Sequence, residues 1–241
     1  MKQKNNTNNT VIPIDLVRVN SYLITVKNGY VLVDTGGHLT MDKTFDNRRK
    51  KLMEALATVG CTKGELRLIL LTHGDNDHVA NAAYIRKEFD APIAMHPGDL
   101  ELVENPTLEK LMGSFQYQSV LFKLVYQLMK KKIERITKKA LDDFESFTPD
   151  ILISDKMKLK DYGLEGTIIH LPGHTAGSIG LLLEDGSLMA GDTFVNNKKP
   201  AAAPNAVDFN NLYKSIDSLR GRGIQTVYPG HGHPFAFSDY K

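Results

Sequence analysis

Cysteine is almost absent from this 241-residue chain. The single Cys61 rules out an intrachain disulfide, which fits a reducing compartment, so the chain is expected to be cytoplasmic. A charge excess of either sign is lacking too. The formal net charge is +2, short of the basic surplus of a nucleic-acid binder. Long apolar runs are missing as well. The opening ten residues are rich in Asn and Thr and lack the apolar core of a signal peptide. No later run reaches membrane-spanning length. A small-molecule substrate is therefore expected, with no nucleic-acid or membrane partner. Cys61 sits in Val59-Gly60-Cys61-Thr62, the turn after a helix, and reads as a buried thiol instead of a nucleophile.

What is present suffices for a sizeable core, with 41% hydrophobic residues. Residues 1–10 read as a disordered tail and 11–241 as one domain. Strands are expected over 11–26 and 30–33, joined by the turn Lys27-Asn28-Gly29, and a helix over 45–59. A buried strand follows at 66–72. Asp77 is placed to cap a helix from 78 to about 89, and 93–95 is a short strand. The second half is expected to hold strands at 151–154, 157–159 and 167–171, and a hairpin of 179–183 with 187–190. It closes with a helix over 210–219, a strand over 226–228 and a final turn at 229–233. This order in both halves implies two sheets packed together with helices outside.

Between the halves, 107–148 reads as a helical insertion. Leu108, Leu111, Met112 and Phe115, then Leu121, Leu124, Val125, Leu128 and Met129, keep helical spacing, with a break near Gly113-Ser114. Its apolar face packs on the domain, lids the site, or makes a homodimer contact. Its lysines read as a solvated face.

The chemistry concentrates in Leu70-Leu71-Thr72-His73-Gly74-Asp75-Asn76-Asp77-His78. A strand ending in His-x-Asp-x-Asp-His delivers imidazoles and carboxylates together to a sheet edge. Those are ligand types for divalent zinc, iron and manganese. His174, Asp192 and His231 follow, each in a glycine-rich turn.

His73-x-Asp75-x-Asp77-His78, Pro172-Gly173-His174-Thr175-x-Gly177, Gly191-Asp192 and Gly230-His231-Gly232 together resemble the motif series of the metallo-β-lactamase superfamily. Asp34, in Val33-Asp34-Thr35-Gly36, resembles its first motif. The resemblance implies an α/β (α+β) fold, a four-layer αββα sandwich with the inserted helical pair. It implies two divalent metal ions, zinc first, with iron and manganese compatible. His73, Asp75 and His174 would hold the first ion, and Asp77, His78 and His231 the second. Asp192 would bridge the two. A water shared by the ions would lose its proton near neutral pH and attack a small ester, thioester or lactone. Asp77 would also act catalytically, orienting that water and returning a proton to the leaving group. Asp34 would buttress the ligands by hydrogen bonding, and His96, which ends a strand at the same edge, is given a similar role.

The resemblance has one departure. The usual motif is His-x-His-x-Asp-His, and Asp75 stands in place of the second histidine. An oxygen ligand there tilts preference toward iron or manganese. It also keeps open an iron-bound redox protein, or a metal-binding domain without hydrolase activity. The inserted helices resemble those of quorum-quenching lactonases, yet Val195 stands where those enzymes carry a tyrosine. With the chain ending at Lys241, no glutathione-binding helical domain or flavin module is expected.

Overall fold

The computed structural model describes residues 9–38, 48–113 and 116–240. The first sheet runs β1 (Val11–Asp15), β2 (Asn20–Val26), β3 (Gly29–Val33), β4 (Leu66–Leu70), β5 (Ile93–Met95), β6 (Ile151–Leu152), and its spatial order equals its chain order. β1 to β3 form an antiparallel meander, and β3 to β6 are parallel. Parallel neighbours need crossovers. Helix α1 (Arg48–Thr58) supplies the first, and α2 (Asn76–Val79) with α3 (Ala82–Phe89) the second. The third contains α4 (Leu100–Val103), α5 (Leu108–Gly113) and the long α6 (Val120–Asp142). The second sheet has the order β12-β11-β9-β8-β7: β7 is Gly166–His170, β8 Ile179–Leu183, β9 Ser187–Asn196, β11 Thr226–Gly232 and β12 Phe235–Ala236. The two-residue β10 (Ala201–Ala202) pairs with β9, and α7 (Phe209–Ser218) precedes β11.

Strand alternation explains the layering. Along β2 to β4, Leu23, Leu32 and Ile69 point to a cluster shared with Leu52 and Leu56 of α1 and Ile85 of α3. Their neighbours Tyr22, Ile24, Val31, Val33, Leu68 and Leu70 point the other way, onto Ile168, Leu181 and Met189 of the second sheet. The far face of that sheet, Leu188 and Val227 among others, packs on Leu212 and Ile216 of α7. The result is helix, sheet, sheet, helix, the αββα sandwich.

Several elements depart from the sequence reading. Residues 1–8, and 45–47 of the first expected helix, lie outside the described residues, but Asn9 is held. Its side chain donates to Thr25 O at 3.0 Å and accepts from Glu165 N at 3.0 Å. The helix expected over 78–89 is split, and Asp75, not Asp77, occupies the N-cap position of α2. The cause is local. Thr35 N and Thr35 Oγ1 both donate to the His78 carbonyl, at 2.7 and 3.0 Å, and divert it from the helical ladder. Residues 157–159 form no strand; they meet β7 through isolated hydrogen bonds such as Ile168 N to Met157 O, and Met157 and Leu159 pack in the same cluster as Ile168. Finally, the motifs around Asp192 and His231 are not turns. β9 and β11 continue through them as a parallel pair whose register shifts at Tyr228/Pro229 and Pro229/His231.

Candidate metal centre

The site grows from the end of β4. Its apolar residues are fully buried between the layers, so the chain that leaves it at Leu71-Thr72 delivers His73 to the sheet edge already desolvated. Asp75, Asp77 and His78 follow within one helical turn. From the other sheet come His174, in the β7–β8 connection, Asp192, inside β9, and His231, inside β11. Two glycines make room. A Cβ on Gly230 would lie 2.1 Å from Asp192 Oδ1, and one on Gly191, at φ +49°, would lie 2.5 Å from Thr72 Oγ1.

All seven expected ligands converge, in two groups. His73, His174 and Asp192 present ligand atoms within 4.8 Å of one another, and so do Asp77, His78 and His231. Asp75 joins the first, with Oδ2 3.1 Å from His174 Nε2 and 3.9 Å from His73 Nε2. Asp192 faces both. Its Oδ1 is 3.3 Å from His78 Nε2, and its Oδ2 is 3.1 Å from His231 Nε2 and 3.8 Å from His174 Nε2.

The backs of the four imidazoles are all occupied by oxygen. His78 Nδ1 meets Asp34 Oδ2 at 2.8 Å, His174 Nδ1 meets Asn205 O at 3.0 Å, and His231 Nδ1 meets Arg18 O at 2.6 Å. His73 Nδ1 meets Thr72 Oγ1 at 2.9 Å, and that hydroxyl donates onward to Asp34 Oδ2 at 2.7 Å. Each acceptor holds the proton on Nδ1 and turns the Nε2 lone pair inward, which is how metal-ligating histidines are oriented. His73 Nε2 and Asp192 Oδ1 are buried without a hydrogen-bond partner among the described residues. Buried polar atoms left so are costly unless something binds them. Four inward lone pairs and three carboxylates fit divalent cations.

The electrostatics agree. Burial pushes the His73 imidazole well below its usual pKa, aided by His78 and His174. In the other three histidines burial acts the same way but is outweighed. Asp192, Asp77 and Asp34 raise His78, Asp75 raises His174 to about 9, and Asp192 with Asp77 raises His231 to about 10. For Asp192 burial opposes ionisation, yet His231 and His78 hold its carboxyl well below the usual range. Without metal, these carboxylates keep protons on His174 and His231. Values raised above the unfolded ~6.5 stabilise the fold fully below that pH, and the contribution disappears as pH rises through about 9 to 10. Metal requires the neutral imidazoles, so its binding expels those protons. Thermal melts are expected to show chelated protein losing stability between pH 7 and 10 while metal-loaded protein does not.

Asp34, at φ +58°, accepts from Thr72 N, Thr72 Oγ1 and His78 Nδ1. His96 has no such role. Its Nδ1 accepts from Gly98 N in its own turn, and its ring stacks on His170 with centroids 4.0 Å apart. The residue at that edge that ties the site together is Asp99, which the sequence reading missed. It is buried and accepts from Gly74 N, Thr175 Oγ1 and Gly177 N at 2.7 to 2.8 Å, clamping the His73 loop to the His174 loop. A strained turn backs His231: Val17 and Arg18 both have positive φ, 63° and 73°, and this aims the Arg18 carbonyl. Cys61 is buried, and burial raises its thiol to about 11, so it is no nucleophile at neutral pH. His233, Lys198 and Lys199 are exposed.

The family model of the metallo-β-lactamase superfamily matches residues 14–231. The chain belongs to that superfamily. A probable metallo-hydrolase of Methanocaldococcus jannaschii is 29% identical over 220 residues, covering 88% of this chain and 87% of that protein. A hydroxyacylglutathione hydrolase of Haemophilus influenzae is 28% identical over 120 residues, 48% of this chain and 44% of that one. Among solved structures, a metallo-β-lactamase family protein of Thermus thermophilus superposes with a TM-score of 0.69 at 21% identity, over 96% of this chain and 76% of that one, and shares the fold. No described helix is long and apolar enough to cross a membrane.

Proposed function

We propose that this protein is a binuclear metallo-hydrolase of small esters, thioesters or lactones, with His73, Asp75 and His174 at one ion, Asp77, His78 and His231 at the other, and Asp192 shared. The observation that carries the reading is the position of Asp192, whose two oxygens face histidines of both groups. Bound there, two divalent ions would bring the pKa of a water from ~16 toward ~7 and polarise a carbonyl. The chain's own residues do the rest. Asp77 Oδ2 stands 3.4 Å from His231 Nε2 and 3.8 Å from His78 Nε2, and its acidity is raised by both imidazoles against the effect of burial. It is thus ionised at neutral pH, ready to accept a proton from the attacking water and pass it to the leaving oxygen or sulfur. Asp34 and Thr72 keep the tautomers of His78 and His73 fixed, and the carbonyls of Asn205 and Arg18 those of His174 and His231.

Two further observations support the class. The relative in Methanocaldococcus jannaschii is named a probable metallo-hydrolase. The relative in Haemophilus influenzae is named for an acyl-glutathione, a thioester. Zinc is the proposed metal, and the carboxylate of Asp75 makes the first group richer in oxygen and so compatible with iron or manganese. Purified protein is expected to contain about two ions per chain and to hydrolyse at least one member of an ester, thioester and lactone panel. Chelation should remove the activity and re-addition of metal restore it. Hydrolysis that survives chelation sinks the reading. Iron without any hydrolysis favours the redox alternative instead.

A further inference from the structure

Helix α6 carries two apolar faces, and among the described residues only one is buried. Ile133, Ile136, Thr137 and Ala140 are buried against the domain. Val120, Leu121, Leu124, Val125 and Leu128 are 40 to 80% exposed. At 100° per residue their mean direction lies roughly 140° around the axis from the buried set. This second stripe cannot reach the domain's own core. The same outward side continues into exposed Lys131, Lys132, Arg135 and Lys138. The outer face of α6 is therefore apolar for its first half and cationic for its second.

We propose that the apolar half docks on its counterpart in a second copy of this chain, antiparallel, about a two-fold axis near Leu124. Area is the first argument. The five side chains leave on the order of 600 Å² uncovered, at the upper limit for soluble monomers and close to the ~800 Å² each partner of a stable interface buries. Charge sets the direction. Parallel helices would bring the two cationic halves to the ~8–10 Å of packed helices. Antiparallel pairing about Leu124 places the two copies of Lys131 about 21 Å apart, beyond the screening length of ~8–10 Å. A two-fold contact of this kind is self-complementary and closes at two copies. It stands independently of the metal reading.

Sedimentation velocity of the full chain at micromolar concentration is expected to give twice the 26.9 kDa chain mass. Leu124→Glu, which sets two carboxylates against each other at the axis, is expected to give a monomer with unchanged circular dichroism. A second variant tests the register. Under mild oxidation Leu124→Cys should cross-link to a covalent dimer, since Cys61 is buried. Leu128→Cys should not, because its copies would lie about 12 Å apart, past the ~7 Å reach of a disulfide. The proposal is overturned by a monomeric wild type, by a dimer that persists in Leu124→Glu, or by cross-linking at 128 in place of 124. A monomer that co-sediments with phosphatidylserine-containing vesicles would overturn it too, and would assign the face to an anionic membrane.

Discussion

Asp192→Asn is expected to lower kcat/KM on any substrate the wild type hydrolyses by on the order of 10³-fold, a loss of about 4 kcal/mol in transition-state stabilisation. The change is nearly isosteric, so packing is kept and only charge and one oxygen are lost. The carboxylate matters because it faces both groups, with Oδ1 toward His78 and Oδ2 toward His231 of the same group and His174 of the other. The amide presents one oxygen and one N–H₂, and the latter cannot donate a lone pair to an ion. Metal content should fall from about two ions per chain to about one or fewer, read by elemental analysis after gel filtration. Full activity with two ions retained would show that Asp192 is not shared, and the two-ion reading would fall with it.

Asp34→Ala is expected to be the most destabilising single change around the site, although Asp34 faces the backs of the imidazoles and not their metal side. Its carboxylate accepts three buried bonds, from Thr72 N at 2.8 Å, Thr72 Oγ1 at 2.7 Å and His78 Nδ1 at 2.8 Å. Truncation leaves a buried amide without an acceptor and strips His78 of a counter-charge. Such losses cost about 3–5 kcal/mol. At ~2–4 °C per kcal/mol for a chain of this size, Tm should drop by about 10 °C. Metal affinity should fall about 10- to 100-fold, because the orientation of both His73 and His78 runs through this carboxylate. Asp34→Asn separates the two effects. It fills the same space and should recover part of Tm, but its amide cannot accept every bond the carboxylate does, so metal affinity should stay low. Wild-type Tm and metal binding in Asp34→Ala would contradict this account.

The contrast between what was and was not legible in the chain has a physical basis. His73, Asp75, Asp77 and His78 are contiguous and announce themselves. His174, Asp192 and His231 are marked by flanking glycines, and those around His174 do lie in a turn, between β7 and β8. Gly191 and Gly230 make no turn; they let two paired strands pass close to Thr72 and to the Asp192 carboxylate. The buttresses were harder. Two of the four acceptors behind the imidazoles are backbone carbonyls, of Arg18 and Asn205, and a carbonyl leaves no mark in a sequence. Asp99 was hidden because nothing in Pro97-Gly98-Asp99 distinguishes a buried clamp from a surface turn. His96 was favoured for being a histidine at the right edge, and lost to the amide of its own turn. Helices were read too long at 78–89 because a tertiary bond to the His78 carbonyl overrode local propensity.

The two halves of the cage come from opposite sheets, His73 to His78 from one and His174, Asp192 and His231 from the other. Their contacts are thus among the most distant along the chain, and distant pairings form late because the intervening loop must first be closed. Either half alone offers an ion an open, partial shell. A cation added during refolding should find its complete binding partner only after the sandwich has closed. It should act as a latch on the finished fold, slowing escape from the native state while leaving the speed of arrival unchanged.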